Sequence, residues 1–382
     1  MDSPVGIEQF RIEVPQEAID ELRERLERVR WPRALPSTGW ERGVPVEYLR
    51  RVVARWLEYD WRSWEERLNA FPQFTTRIDG QTIHVLHARS PEPAALPLIL
   101  THGWPGSIAE FLDVLGPLTD PVSHGGDPAD AFHVVAPSVP GHGFSVPLEE
   151  PGWNHQRIAR AWSTLMARLG YPQYGAQGGD TGSVVSPLLG RIDADHVVGV
   201  HLNGGLAFPA ARPGDFDNLS ERDQAKLAAA EQTRSTGTGY AELQSTKPQT
   251  VSFGLSDSPV GQLAWILEKF HDWTDPARPL PEDAVSLDHL LTDVSIYWFT
   301  NTSATSANLY YENRHAPADP PPPSTVPTGV AVFPTDPAMR HILEREHHLT
   351  HWSEFDRGGH FASLEAPDLL VDDIRAFFRP LR

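Results

Sequence analysis

The sequence predicts an α/β fold built on a mostly parallel sheet with helices on both faces, and three observations predict it. Beyond residue 80, short and nearly continuous apolar runs recur at 83–86, 96–100, 132–136, 197–202 and 326–333. Strands read this way when both of their faces are buried. Helix-like stretches such as 158–169 separate the runs, and that alternation demands a parallel sheet with covering helices. The chain has 382 residues, 40% of them hydrophobic, which allows one large core carrying insertions.

Taken in order, residues 15–30 form the first amphipathic helix. Pro15 opens it, Glu17, Asp20 and Glu21 lie early, Ile19, Leu22, Leu26 and Val29 share one face, and Pro32 ends it. A second helix starts near Pro45 with Leu49, Val52, Val53, Trp56 and Leu57, followed by Trp61, Trp64, Phe71 and Phe74. This segment is too small for a core of its own, so residues 1–78 are expected to wrap a larger body. Residues 79–205 read as the first part of that body and 326–382 as the second. Between them, 206–325 breaks the rhythm with helix-like, Trp- and Gly-rich sequence, as an inserted helical cap would. Its return, 316–327, contains Pro320–Pro323 and is expected to run as a stiff polyproline connector.

Composition narrows the function classes. There is no cysteine, so disulfides, thiolate metal sites and cysteine nucleophiles are excluded together. The formal charge of -19 argues against a nucleic-acid partner, which needs clustered Lys and Arg. No run approaches the roughly 18 apolar residues of a membrane span, and the opening MDSPVGIEQF lacks the basic and apolar regions of a secretory signal. A soluble, cytoplasmic protein is expected. Whether it forms a homo-oligomer is left open.

The most informative segment is Gly178-Gly179-Asp180-Thr181-Gly182, between the strand-like 174–177 and the helix-like 183–189. It has the spacing of a G-x-S-x-G nucleophile elbow with aspartate in place of serine, the glycines permitting a strained turn that exposes the side chain. Alone, Asp180 also reads as the cap of the following helix. Two partners stand where the chain order nucleophile, acid, histidine places them: Asp336 after the run 326–333, and His360 in Gly358-Gly359-His360 before a final helix at 367–378. Directly after the run 96–100 comes His102-Gly103-Trp104-Pro105-Gly106-Ser107. There the amide of Trp104 can join that of Thr181 as an oxyanion hole. Pro140-Gly141-His142-Gly143-Phe144-Ser145 fits a sharp loop after the next strand. A cluster of His347, His348 and His351 follows Glu346, but the order is not H-E-x-x-H, and it reads as solvated surface rather than a metal site.

With these motifs on the page, the chain resembles the α/β-hydrolase epoxide hydrolases of the microsomal and juvenile-hormone type. The resemblance runs through Phe10-Arg11-Ile12, Arg30-Trp31-Pro32, the HGWPGS loop, GGDTG, Asp257-Ser258-Pro259-Val260-Gly261, Tyr297-Trp298-Phe299-Thr300 and RGGHFASLEAP at 357–367. The sequence departs from the mammalian microsomal enzyme in lacking its hydrophobic N-terminal anchor and in carrying Asp336 where that enzyme has glutamate. The resemblance implies an epoxide-to-diol activity with a small-molecule epoxide as partner and no metal, flavin or nicotinamide. It also implies two cap tyrosines that hold and protonate the epoxide oxygen. Tyr240 and Tyr310 match them, Tyr311 competes for the second role, and Tyr297 is expected to pack inside the cap.

A carboxylate nucleophile suits this chemistry, because attack on saturated carbon leaves an ester that water can cleave, where serine would leave a stable ether. His360 would act as the base, Asp336 would orient it, and Trp104 and Thr181 would receive the oxyanion. Trp104, Phe253, Trp265 and Tyr311 are the expected substrate contacts, with Phe270 and Trp273 nearby in sequence pointing to a medium-to-large apolar or aryl epoxide. The resemblance extends to enediyne-type biosynthetic enzymes, which makes antibiotic biosynthesis or detoxification the expected setting. Two alternatives stay open: a haloalkane dehalogenase, which commonly places tryptophan where Thr181 stands, and a non-catalytic small-ligand binder.

Overall fold

The computed structural model describes residues 6–33, 35, 39–205, 212–317 and 322–382. Among them nine strands form one sheet: β1 (Ile7–Phe10), β2 (Gln73–Ile78), β3 (Gln81–Ala88), β4 (Leu96–Thr101), β5 (Phe132–Pro137), β6 (Tyr174–Gly178), β7 (Val197–Leu202), β8 (Pro327–Val332) and β9 (His348–Glu354). Their order is β1-β2-β3-β5-β4-β6-β7-β8-β9. β1, β2, β3 and β5 pair antiparallel, and β5-β4-β6-β7-β8-β9 run parallel. Every apolar run read from the sequence is a strand, within one to two residues at most ends, because those side chains are buried on both faces.

The N-terminal helices are α1 (Gln16–Glu27), α2 (Val46–Glu58) and α3 (Trp61–Asn69); α4 (Leu112–Thr119), α5 (His155–Arg168) and α6 (Thr181–Ile192) belong to the core. The N-terminal segment does more than wrap. It contributes both β1 and β2, so the edge of the sheet is built from residues whose alternation was too short to announce strands. Trp56 and Tyr59 hold this segment to the region between β7 and β8 through Ser295 and Thr292, at 3.0 and 2.7 Å.

Among the described residues seven helices lie between β7 and β8: α7 (Glu221–Thr236), α8 (Gly239–Thr246), α9 (Pro248–Asp257), α10 (Pro259–Trp273), α11 (Pro281–Ala284), α12 (Leu287–Thr300) and α13 (Ser303–His315). After β8 come α14 (Arg340–Leu343), α15 (Ala362–Glu365) and α16 (Pro367–Phe378). Residues 206–211, where the cap was expected to open, and 318–321 of the expected polyproline connector lie outside the described residues. Among the described residues no helix is long and apolar enough to cross a membrane.

β4 and β6 are neighbours, with Thr101 opposite Gly178. The loops leaving them therefore emerge side by side at the carboxyl ends of parallel strands, where an open α/β sheet places its ligands. β7, β8 and β9 end at the same rim.

Candidate active site

Asp180 follows β6 with φ 51° and ψ -117°, a conformation that non-glycine residues rarely occupy and that persists only where the surroundings enforce it. The enforcement is steric. A Cβ at Gly182 would lie 2.1 Å from the Thr101 carbonyl oxygen, so α6 starts in contact with β4 only because that position is glycine. A Cβ at Gly103 would lie 2.3 Å from the Asp180 side chain, which lets the loop after β4 close over the carboxylate.

The two carboxylate oxygens have different partners. Oδ1 accepts from the backbone N–H of Trp104 at 3.0 Å and of Thr181 at 2.7 Å. Oδ2 faces His360 Nε2 at 3.4 Å. Burial pushes the Asp180 carboxyl up, and the hydrogen bond and charge of His360 with the two amides outweigh it, so it sits below the ordinary aspartate range. Asp180 also caps α6 through the Thr181 amide, so the capping and nucleophile readings describe the same geometry.

His360 lies in the loop after β9, and its backbone N–H donates to the Trp273 carbonyl at 2.9 Å, which ties this loop to the end of cap helix α10. Burial works against a charged imidazole, but Asp180, Asp336 and Glu365 together hold it above the ordinary histidine range. Asp336 follows β8 and is 2% exposed; its Oδ2 accepts from Phe333 N–H at 3.0 Å and Gly204 N–H at 3.4 Å. Its burial raises it above the ordinary aspartate range. His102 braces the loop after β4: Nε2 accepts from Val139 N–H at 3.0 Å, leaving Nδ1–H to donate to the Gly103 carbonyl at 3.0 Å. Burial lowers its pKa to about 4, which keeps that neutral tautomer.

Tyr240 on α8 and Tyr310 on α13 meet above Asp180. Their rings are 5.8 Å apart and near perpendicular. Trp104 stacks on Tyr240 at 5.1 Å and meets Tyr310 edge-on at 5.8 Å. Burial drives both phenols well above their ordinary range, so both are protonated acids at neutral pH. A cavity of about 450 Å³ is lined by Asp180, Thr181, Tyr240, Tyr310, His155 and Ser245, among others. Asp180 and His360 also border a second chamber of about 20 Å³ with Glu110, Gln177 and Asn203, room for about one water. The carboxylate thus lies between an organic-sized cavity bearing two phenolic acids and a water-sized chamber bearing an imidazole. Such a group can attack an electrophile from one side and be released by water from the other.

Three expected substrate contacts lie elsewhere, and these expectations are corrected. Phe253 is 73% exposed on α9. Tyr311, 37% exposed, stacks on His315 at 4.0 Å, because the 100° step of a helix turns it away from Tyr310. Trp265 stays inside the cap, its Nε1–H donating to Gln244 Oε1 at 3.2 Å. Tyr297 is buried, its hydroxyl donating to the Gly106 carbonyl at 3.0 Å. Of the histidines after Glu346, His351 is not solvated surface: its Nε2 bonds Asp373 at 2.8 Å. Sequence reasoning missed His155, Glu110 and Glu365. Only Glu365 carried a signal, standing five residues after His360 inside the RGGHFASLEAP motif.

Residues 7–111 match the family model for the epoxide hydrolase N terminus, and residues 97–367 match that for the alpha/beta hydrolase fold. A relative from Stigmatella aurantiaca is 46% identical over 99% of this chain and 86% of its own length. Epoxide hydrolase 1 of Sus scrofa is 37% identical over 97% of this chain and 88% of its own. The crystal structure of juvenile hormone epoxide hydrolase from the silkworm Bombyx mori superposes with a TM-score of 0.90 at 31% identity, covering 98% of this chain and 95% of that one. These matches extend over both the sheet that carries Asp180 and the helices between β7 and β8 that carry the two phenols, and the chain belongs to the epoxide hydrolases of the α/β-hydrolase fold, enzymes of class EC 3.3.2.

Proposed function

We propose that the enzyme converts a medium-to-large apolar or aryl epoxide to a vicinal diol through an ester on Asp180, with His360 as the base that then delivers water. One observation carries this reading: Oδ1 of Asp180 is engaged by two backbone amides while Oδ2, which accepts from no backbone N–H among the described residues, faces the imidazole. Oδ2 attacks an epoxide carbon, and Tyr240 and Tyr310 give the opening oxygen a proton, so that it leaves as a hydroxyl. Oδ1 becomes the ester carbonyl oxygen. Water, deprotonated by His360, adds to the Asp180 carboxyl carbon, and the Trp104 and Thr181 amides receive the charge on Oδ1; the diol departs with the proton returned by the His360 imidazolium, and the proton left on the Asp180 carboxyl restores the phenol. Asp336 favours the imidazolium formed in that step. No metal or organic cofactor enters the scheme.

The size of the cavity and the apolar faces of Trp104, Tyr240 and Tyr310 support the substrate class. The proposal extends to a cytoplasmic enzyme serving natural-product biosynthesis or detoxification, in keeping with the enediyne-type resemblance. Dehalogenation is less well supported, because the residue after Asp180 is Thr181 rather than a halide-holding tryptophan, and because phenols suit an alkoxide better than a halide. Styrene oxide beside a haloalkane panel tests this: diol without halide release is expected, and halide release without diol sinks the proposal.

Tyr240→Phe and Tyr310→Phe are each expected to slow alkylation about 10- to 100-fold, and the double variant nearly to remove it, since two donors to one oxygen partly substitute for each other. Tyr311→Phe is expected to be silent, in keeping with its exposed ring. Rapid-quench measurement of ester formation checks all four variants.

A further inference from the structure

The chain has three lysines, and Lys269 on α10 has a side chain only 1% exposed, where an ammonium is rarely found unless paired. Its ion-pair partner, Glu268, is 34% exposed, so water screens the carboxylate far more than the cation. Lys269 Nζ lies 4.4 Å from the centroid of the Tyr240 ring and 5.6 Å from that of Trp273. The first of these rings is stacked on Trp104 and reaches into the substrate cavity; the second sits against His360 at 4.9 Å.

We propose that Lys269 is a positioning residue for Tyr240: its ammonium fixes the ring over the cavity and favours the phenolate that forms when the epoxide opens. This deepens the reading of Tyr240 as a proton donor and rests on it. As the bond from Asp180 Oδ2 to carbon forms and the carbon–oxygen bond of the epoxide breaks, the phenolic proton passes to the departing oxygen and the negative charge moves to the ring. A cation over a neutral phenol meets only its quadrupole, whereas over a phenolate it meets a full charge. The contact therefore strengthens as the reaction proceeds, which is what lowers a barrier rather than merely binding the ground state.

Of the other groups facing Tyr240, Asp180 opposes a phenolate by charge until its own alkylation neutralises it, and the Tyr310 hydroxyl eases ionisation of the phenol but carries no positive charge. Burial itself holds the phenol above its ordinary range, and a cation under the ring offsets that resistance in the direction catalysis needs.

The test is the single-turnover rate of ester formation in Lys269→Met, with and without Tyr240→Phe. A desolvated cation over an aromatic face is worth on the order of a tenfold factor or more, so the expected result is alkylation slowed about tenfold or more. Ester hydrolysis should be unchanged, and Lys269→Arg should stay within a few-fold of wild type. In the Tyr240→Phe background the same Lys269→Met change is expected to have no further effect, because the group it acts through is gone. Equal losses in both backgrounds would mean a purely structural lysine and overturn the proposal, as would undiminished alkylation in Lys269→Met. If Lys269→Met does not fold, Glu268→Gln decides: relieving the cation of its counter-ion is expected to quicken alkylation only when Tyr240 is present, and a silent Glu268→Gln overturns the proposal. Tyr240→Phe alone separates the failures. If it is silent, the proton-donor reading falls with this one; if it is slow while the lysine and glutamate variants are not, only the role of Lys269 falls.

Discussion

Asp180→Ala is expected to lower diol formation about 10⁴-fold or more while leaving the fold intact, because in the proposed route the carboxylate is the one group that bonds to substrate carbon. Alanine inherits the strained backbone conformation at φ 51°, and Gly103, Gly182 and the neighbouring strands still enforce it. The thermal midpoint should therefore stay within about 5 °C of wild type. Residual activity above about 1% in a folded protein places the nucleophile elsewhere. Oxygen tracing gives the positive counterpart. When excess wild-type enzyme converts a limiting epoxide once in water enriched in heavy oxygen, the proposed route draws the new diol oxygen from Asp180 Oδ2, so a light diol is expected. The label is expected in the peptide containing Gly178–Gly182. A heavy first-turnover diol with a light peptide would mean that the carboxylate only activates water.

The second large effect belongs to His360. In His360→Gln, ester formation needs no base and continues, whereas its hydrolysis slows by about 10²- to 10⁴-fold. Intact-protein mass spectrometry should show enzyme plus epoxide accumulating within the first turnover; an unmodified protein that nonetheless binds substrate contradicts the two-step route. Wild-type enzyme should show the same species at low pH. In the resting site Asp180 supports the imidazolium and is itself held ionised below its ordinary range. Alkylation removes the Asp180 charge, so the imidazole of the ester form titrates lower and is free to accept a proton near neutrality. As pH falls through that value the base is lost first, while Asp180 can still attack. Ester is expected to persist on quenching at about pH 5 and to be scarce at about pH 8, and equal amounts at both would remove His360 as the base of the second step.

Substitutions at the glycines have a different character from these, because they act on the backbone rather than on the chemistry. At Gly182 a methyl group would have to occupy space held by the Thr101 carbonyl. The motif was readable in sequence for that reason: close approach of α6 to β4 admits only one residue type.

What the sequence determined by itself was whatever depends on local spacing. Continuous apolar runs marked the parallel strands, because burial on both faces leaves no polar alternation. The glycines around Asp180 and the proline after Trp104 marked the loops that leave adjacent strands. The chain order of Asp180, Asp336 and His360 followed from those strand ends. Tertiary structure alone decided what depends on contacts between distant segments. β1 and β2 are strands because they pair at the sheet edge, not because their residues alternate strongly. Tyr310 rather than Tyr311 lines the cavity because α13 docks on the core with one face, and a helix can present only one of two consecutive residues there. Phe253 faces solvent for the same reason, on a helix whose packed face lies opposite. Glu110, His155 and Lys269 carried no motif, and each acquires meaning only from burial beside Asp180 or Tyr240, an electrostatic setting that no stretch of sequence contains.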